Sequence, residues 1–462
     1  MKTKQPFAAL FAIALLSGAG CVSVDTDAAR ARTALTEGRV DETCAWAEDL
    51  ATNSVYSAAL GRVEAGRARL LAGDFAASAG WFRQAVDAAV EKSESGPVIN
   101  LTDAGNTALA ATLTDDRTRL YTLPAYELNF ALLYGILAQA LGGQTDDACV
   151  DARLSVYVQD ALAEKLGGDL PAPAATNETA SAAQSVCAGQ EAALEELIAG
   201  TRNSWENPVL WWLTGVLFEV RGETDFAQQS YRKAQAIRPD NAVFAADAAR
   251  YAPGRPARRA PQPEKARLVV VYDVGLVPMR ESLKVPVPIY TGLSIDIPVY
   301  RGERPSFAPF ALDGTQGQAG VDAAALAARD LKERLPGIVT RNITRATVQI
   351  AAQAVANNNG NDYVKLGVFA ANAVIAAFRR ADTRSWITLP AETQVAEKDD
   401  LEPGRYAFQI ATAHGRTTFE CVLQAGETRL LYLADCGRGP RIASCVLSPP
   451  GGKSVFENHE SR

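Results

Sequence analysis

The hydrophobic period of this chain changes once, at the proline- and arginine-rich stretch Ala252–Lys265 (APGRPARRAPQPEK), and that change limits the folds open to it. Upstream, apolar residues recur at helical spacing; downstream they gather in short runs rich in Val, Ile and Tyr that have the length of strands. Helices kept apart from strands point to an α+β multidomain chain. We therefore expect an all-α region over 21–251, a linker over 252–265, a β-rich domain over 266–447 and a flexible tail over 448–462. At 462 residues and 48% hydrophobic, the chain can bury a sizeable core.

The clearest architecture upstream is at residues 208–241, PVLWWLTGVLFEVRGETDFAQQSYRKAQAIRPDN. Trp211, Gly215 and Phe218 share one helical face, Gly222 breaks the run, Ala227, Tyr231 and Ala234 repeat the spacing, and Pro239 ends it. The segment resembles a tetratricopeptide repeat, with Thr214 in place of the usual leucine. A weaker copy starts near residue 59, with Gly66, the turn Gly73-Asp74-Phe75, then Phe82 and Ala85; a fainter one has Gly38 and a helix over Val40–Leu50. Between the copies, Leu123–Leu141 and Asp146–Leu166 read as helices separated by Gly142-Gly143, and Leu170–Gln184 as a loop of small and polar residues. Such arrays present a concave face to protein partners, which makes Trp211 and Tyr231 candidate partner-binding residues.

Downstream, strands are expected at Arg267–Tyr272, Leu283–Val287, Leu293–Val299, Trp386–Leu389, Tyr406–Thr412, Thr417–Leu423 and Thr428–Leu433. The turns Pro403-Gly404, His414-Gly415 and Ala425-Gly426 make the last three hairpin-like, and an antiparallel β-sandwich-like domain follows. The loose glycine run Gly314, Gly317, Gly320 reads as linker. An alanine-rich helical hairpin over 322–380, Asp322–Asn357 and Tyr363–Arg380, interrupts the strands. Its second arm, Val364–Phe378, is nearly apolar, but Lys365, Asn372 and a length below about 18 residues argue against a membrane span.

At the N-terminus, Lys2 and Lys4 precede the apolar run Phe7–Leu16, and Ser17-Gly18-Ala19-Gly20 lead to Cys21. This resembles a lipobox, with Gly18 where Leu is usual: residues 1–20 are then a lipoprotein signal peptide, and Cys21 is the lipidated residue. Val22 and Ser23 lack the aspartate associated with inner-membrane retention, so we expect the periplasmic face of the outer membrane. Loss of Lys2 and Lys4 on cleavage moves the formal charge from -7 to -9, which disfavours a nucleic-acid partner. Six further cysteines sit in a compartment that permits disulfides, and we expect Cys149 to pair with Cys187, and Cys421 with Cys436 or Cys445.

Sites for chemistry are thin. Only His414 and His459 are present, both expected in solvent, and there is no HExxH, GxSxG or GxxxxGK[ST]. Acid pairs such as Asp115-Asp116 and Asp399-Asp400 are adjacent and read as solvated surface. No catalytic residue, metal or cofactor is expected.

Four segments, YELNFALLYGILAQALGGQTDDACVDAR (126–153), VVVYDVGLVPMRESLKVPVP (269–288), LKERLPGIVTRNITRA (331–346) and ADTRSWITLPA (381–391), resemble a poorly characterised family of bacterial lipoproteins with N-terminal tetratricopeptide-like helices. Members are often encoded near lipoproteins that activate peptidoglycan synthases. The family's acidic-Gly-Leu turn stands here as Asp273-Val274-Gly275-Leu276, with Val274 added. In ADTRSWITLPA, Asp382 and Arg384 can pair or cap the preceding helix, Trp386 can anchor the entry of a strand and Pro390 can end it; the alternative, since exposed Trp and Arg are favoured interface anchors, is that Asp382, Arg384 and Trp386 with Arg280 form the candidate rim of a recognition surface. The expected function is a non-enzymatic outer-membrane scaffold for unidentified periplasmic or envelope proteins. The alternatives are a peptidoglycan-processing enzyme built on acidic residues and a lipoprotein that enters a membrane through the alanine-rich hairpin.

Overall fold

The computed structural model describes residues 26–93, 96–99, 116–167, 177–198, 200–251, 260–288, 293–358 and 380–447. Cys21 with the expected signal peptide, most of the expected linker, nearly all of the expected second arm of the hairpin and the expected tail lie outside the described residues.

The chain is α+β, helical in its N-terminal half and built of sheets in its C-terminal half. The helices are α1 (26–36), α2 (Val40–Asn53), α3 (Ala58–Ala72), α4 (Phe75–Ala89), α5 (Ala125–Leu141), α6 (Thr145–Leu166), α7 (Asn177–Ile198), α8 (Pro208–Arg221), α9 (Thr224–Ile237) and α10 (Ala242–Arg250). Two helical pairs obey one sequence rule. Gly66 is followed seven residues on by Gly73 and sixteen on by Phe82; Gly215 is followed at the same distances by Gly222 and Tyr231. Gly73 and Gly222 close α3 and α8 in the left-handed conformation that glycine adopts without steric cost. A Cβ on Gly66 would lie 2.9 Å from the Phe82 ring, and one on Gly215 would lie 2.7 Å from the Tyr231 ring. Close approach of the paired helices thus fixes the small residue and its aromatic partner together.

A short hairpin, β1 (Val90–Ser93) and β2 (Gly96–Ile99), follows α4. The C-terminal half contains β3 (Ala266–Val274), β4 (Arg280–Pro286), β5 (Ser294–Tyr300), β6 (Ala311–Leu312), β7 (Thr315–Gln316), β8 (Gln318–Asp322), α11 (Ala323–Asn357), β9 (Glu392–Leu401), β10 (Gly404–Thr412), β11 (Gly415–Leu423), β12 (Thr428–Asp435) and β13 (Arg441–Val446). A five-stranded sheet has the order β13-β12-β3-β9-β8, a four-stranded sheet the order β11-β10-β6-β7, and β4 pairs with β5. β3 lies at the centre and is buried along its whole length. Leu268, Val270 and Tyr272 pack with Phe310 and with Phe408, Ile410 and Phe419 of the four-stranded sheet, while Val269 and Val271 join the core of the helices. Burial on both faces is why this strand reads as a continuous apolar run.

Several expectations need correction. The five-stranded sheet is not wholly antiparallel, because β3 and β12 pair in parallel. Trp386–Leu389 is not a strand; the partner of β3 on that side is β9, whose sequence ETQVAEKDDL is too charged to read as central. The loop expected up to Gln184 becomes helical from Asn177, and the glycine run supplies β7 and β8. The composition shift at 252–265 divides two kinds of secondary structure, but apolar packing crosses it: one hydrophobic cluster runs from Leu35 through Tyr134 and Trp212 to Val269, Tyr432 and Leu447, and a second lies within the C-terminal half. Among the described residues, no helix is long and apolar enough to cross a membrane.

Candidate functional site at the junction of helices and sheets

The segment 381–391 joins the two halves, and carboxylates of the helices hold its backbone. Glu64 of α3 accepts the Ile387 amide at 2.6 Å, the Thr388 amide at 3.3 Å and the Thr388 hydroxyl at 2.5 Å. Glu127 of α5 accepts the Trp386 amide at 3.1 Å and the hydroxyls of Tyr121 and Tyr126. Burial pushes the Glu64 carboxyl up to about 8, against the hydrogen bonds from Thr388 and Ile387 that favour its ionised form. Burial raises Glu127 as well. Arg32 of α1 donates to the carbonyls of Val277 at 2.6 Å and Ile387 at 3.1 Å. The Trp386 ring is buried, 6.0 Å from the rings of both Phe82 and Tyr134.

Arg384 is a second clamp. Its guanidinium pairs with Asp382 at 2.7 Å and donates to the carbonyls of Tyr56, Arg119 and Asp116 at 2.9 to 3.1 Å. Arg280 is buried on Asp330 at 3.2 Å and the Tyr300 hydroxyl at 2.9 Å. Trp211 and Tyr231 are buried inside the α8–α9 pair, where the Tyr231 hydroxyl donates to Glu219 at 2.6 Å. The candidate partner anchors therefore fill cores and junctions: Trp211, Tyr231, Arg280 and Trp386 are buried, and Arg280 and Arg384 are committed to partners within the chain. Residue type pointed to interfaces; the interface they serve is internal.

Two buried charge clusters complete the joint. In the first, Arg67 of α3 meets Asp273 of β3 at 3.0 Å with both side chains enclosed, and Asp273 also accepts the hydroxyls of Tyr432 and Thr393 at 2.6 Å. In the second, Arg267 of β3 reaches Glu219 of α8 at 2.8 Å and Glu397 of β9 at 2.5 Å, while Arg250 of α10 reaches Glu219 at 3.0 Å and also pairs with Asp247. With Asp399, two guanidiniums face four carboxyls, so two of the carboxyls favour their protons. Burial raises Asp247 to about 7 and Asp399 to about 8. Burial opposes ionisation of Glu397 too, but Arg267 holds it at about 2. Removing one partner of such a pair strands the other charge and costs about 3–5 kcal/mol.

Beside the junction lies a cleft of about 510 Å³ between α1–α3 and the β4–β5 hairpin. Its apolar lining includes Trp46, Leu50, Leu60 and Ile387, and its polar lining includes Lys284 and Arg380. No single stretch of sequence could have revealed it, because its walls come from widely separated segments.

All six described cysteines are free thiols, so Cys149 and Cys187 are not joined, nor is Cys421 to Cys436 or Cys445. Burial pushes Cys149 and Cys436 up to about 11 and Cys445 up to about 12, and such thiols are inert. His414 lies exposed in the turn between β10 and β11, as expected, and its Nδ1 also lies 2.9 Å from the buried Asp435 carboxylate. Among the described residues, no group of three or more His, Cys, Asp or Glu is placed to hold a metal ion.

Comparison with family models, with curated proteins and with solved structures found no match.

Proposed function

We propose that this chain is a non-enzymatic lipoprotein, tethered through Cys21 to the periplasmic face of the outer membrane, that serves as a scaffold for a protein partner in the cell envelope. The paired helices are read as tetratricopeptide-like units on their shared Gly-Gly-aromatic spacing, and the facing sheets as a sandwich-like module. The observation that carries the reading is an exposed apolar patch on the helical half. Val150 and Tyr157 of α6, 59% and 63% exposed, share a helix face, and Arg153 between them lies over Phe218, against which the 51% exposed Phe226 packs. Exposed aromatics on a well-packed support are the usual anchors of a protein interface. A photocrosslinking residue placed at Tyr157 in living cells should give one discrete adduct in the membrane fraction, lost on V150S/F226S substitution. An absent adduct, or one unchanged by those substitutions, refutes the scaffold.

A second reading has its own observation. Val348, Ile350 and Val355 are exposed on α11, in a stretch with no charge from Ala346 to Asn361, which favours contact of that end with a membrane or with another copy of the chain. Vesicle binding by non-lipidated protein that survives V348S/I350S/V355S would exclude the membrane form of it.

A further inference from the structure

We infer that the cleft beside the junction binds one anionic phospholipid of the membrane to which the chain is tethered. The inference rests on the tether proposed above for its source of ligand, and on the cleft for its chemistry.

The cleft's apolar side is made by Trp46, Leu50, Leu60 and Ile387, a surface suited to an acyl chain and unsuited to a small polar solute. Its volume of about 510 Å³ is enough for one such chain and is too small for a folded partner. At the rim, the charges divide by partner. Arg280 is held by Asp330, Arg384 by Asp382, and Glu281 by Arg301 at 3.1 Å. Lys284 and Arg380 make no ion pair among the described residues, although Asp296 stands opposite Lys284 in the β4–β5 register. Two uncommitted cations against one carboxylate leave the mouth positive in a chain whose net charge is -7. A head group of net negative charge answers that charge; a zwitterionic one, whose phosphate is offset by its own cation, answers it less.

Position agrees. Ala28 of α1 lines the cleft, so six residues separate it from Cys21, and the seven Cα–Cα steps reach at most ~25 Å. The cleft is thus held close to any bilayer that carries the anchor. Val55, Tyr56 and Leu120 are exposed next to it, gathered by the Tyr121 amide on the Tyr56 carbonyl at 2.8 Å and by Arg384, which lines the cleft. Amphipathic tyrosine beside aliphatic side chains is the composition of a surface that meets the head-group layer.

The test uses the chain from residue 21 carrying Cys21→Ser, titrated calorimetrically with monomeric lysophosphatidylglycerol, lysophosphatidylcholine and glycerol phosphate. Lysophosphatidylglycerol should bind saturably at one site. Each rim cation should contribute about fivefold in affinity, so K284Q/R380Q should bind it about 25-fold more weakly and lose the preference over lysophosphatidylcholine. A brominated acyl chain should quench tryptophan fluorescence, and W46F should remove most of that quenching. The inference is overturned if no lysolipid binds, if the two lysolipids bind equally, if K284Q/R380Q binds as well as the parent, or if glycerol phosphate alone matches the lysolipid. Because this protein carries no lipid, a failed titration leaves the tether standing; absence of palmitate incorporation at Cys21 in cells would instead remove the tether and leave the titration as measured.

Discussion

Glu64 offers the sharpest perturbation of the junction, because one carboxyl receives two backbone amides and a hydroxyl from a segment more than 300 residues away in sequence. Glu64→Ala leaves those three buried donors without an acceptor. At about 1–3 kcal/mol for each unmet buried group, partly relieved by relaxation, the loss should be about 3–5 kcal/mol. Glu64→Gln keeps an acceptor for Ile387 and should cost about 1 kcal/mol at pH 5. The pH dependence then separates ionisation from packing. The folded carboxyl titrates at about 8, above its ordinary value of 4.5, so its contribution is fully present below 4.5 and is lost as pH rises through 8. Between pH 5 and 8 the parent should lose stability relative to Glu64→Gln by ~1.4 kcal/mol per pH unit, on the order of 4 kcal/mol across the window. Glu127, also raised by burial, is present in both proteins and largely cancels in the difference. Urea unfolding followed by tryptophan fluorescence at pH 5, 6.5 and 8 measures both effects. Parallel stability curves for parent and Glu64→Gln, or a Glu64→Ala cost below about 1 kcal/mol, would refute the reasoning.

The Arg67–Asp273 pair should show the asymmetry of buried ions: R67L and D273L each lose about 3–5 kcal/mol, while R67L/D273L recovers much of that, giving a favourable coupling in a double-mutant cycle. Contact across the helical pairs predicts that G66A and G215A each cost about 1–3 kcal/mol by crowding Phe82 and Tyr231, whereas G80A and G189A, with open space at the new Cβ, are neutral or stabilising. Thermal melts of the four variants check this. Iodoacetamide should leave Cys44, Cys149 and Cys445 unmodified in the native protein and modify all six described cysteines after unfolding without reductant, as read by mass; a mass deficit of one pair would show a disulfide.

What was legible in the sequence was whatever depends on neighbours in the chain. The period of Leu123–Leu141 gave α5, the β-branched run at Arg267–Tyr272 gave β3, and Gly215 with Tyr231 gave a close-packed helical pair. The misses share a cause in long-range pairing. Asp399 reads as solvated surface in the sequence because Arg267 and Arg250, which donate to Glu397 and Asp399 of β9, are far away in the chain. Trp386 and Arg384 have the chemistry of an interface, but only the fold reveals that the carboxylates and carbonyls awaiting them belong to the same chain. The segment 381–391 is one of four that carry the family resemblance, and resemblance says nothing of what it packs against. Its role as the clasp between halves needed Glu64, Glu127 and Arg32, none of which stands out by type or spacing.

The central claim is that helices and sheets act as one platform despite the composition break at 252–265. Native-state hydrogen exchange in rising urea tests it most directly, by comparing amides of α5 with those of β3. The account predicts a shared opening, with free energies that agree within about 0.5 kcal/mol and equal urea dependence in both elements. Exchange from α5 through an opening several kcal/mol cheaper, with β3 still fully protected, would contradict it.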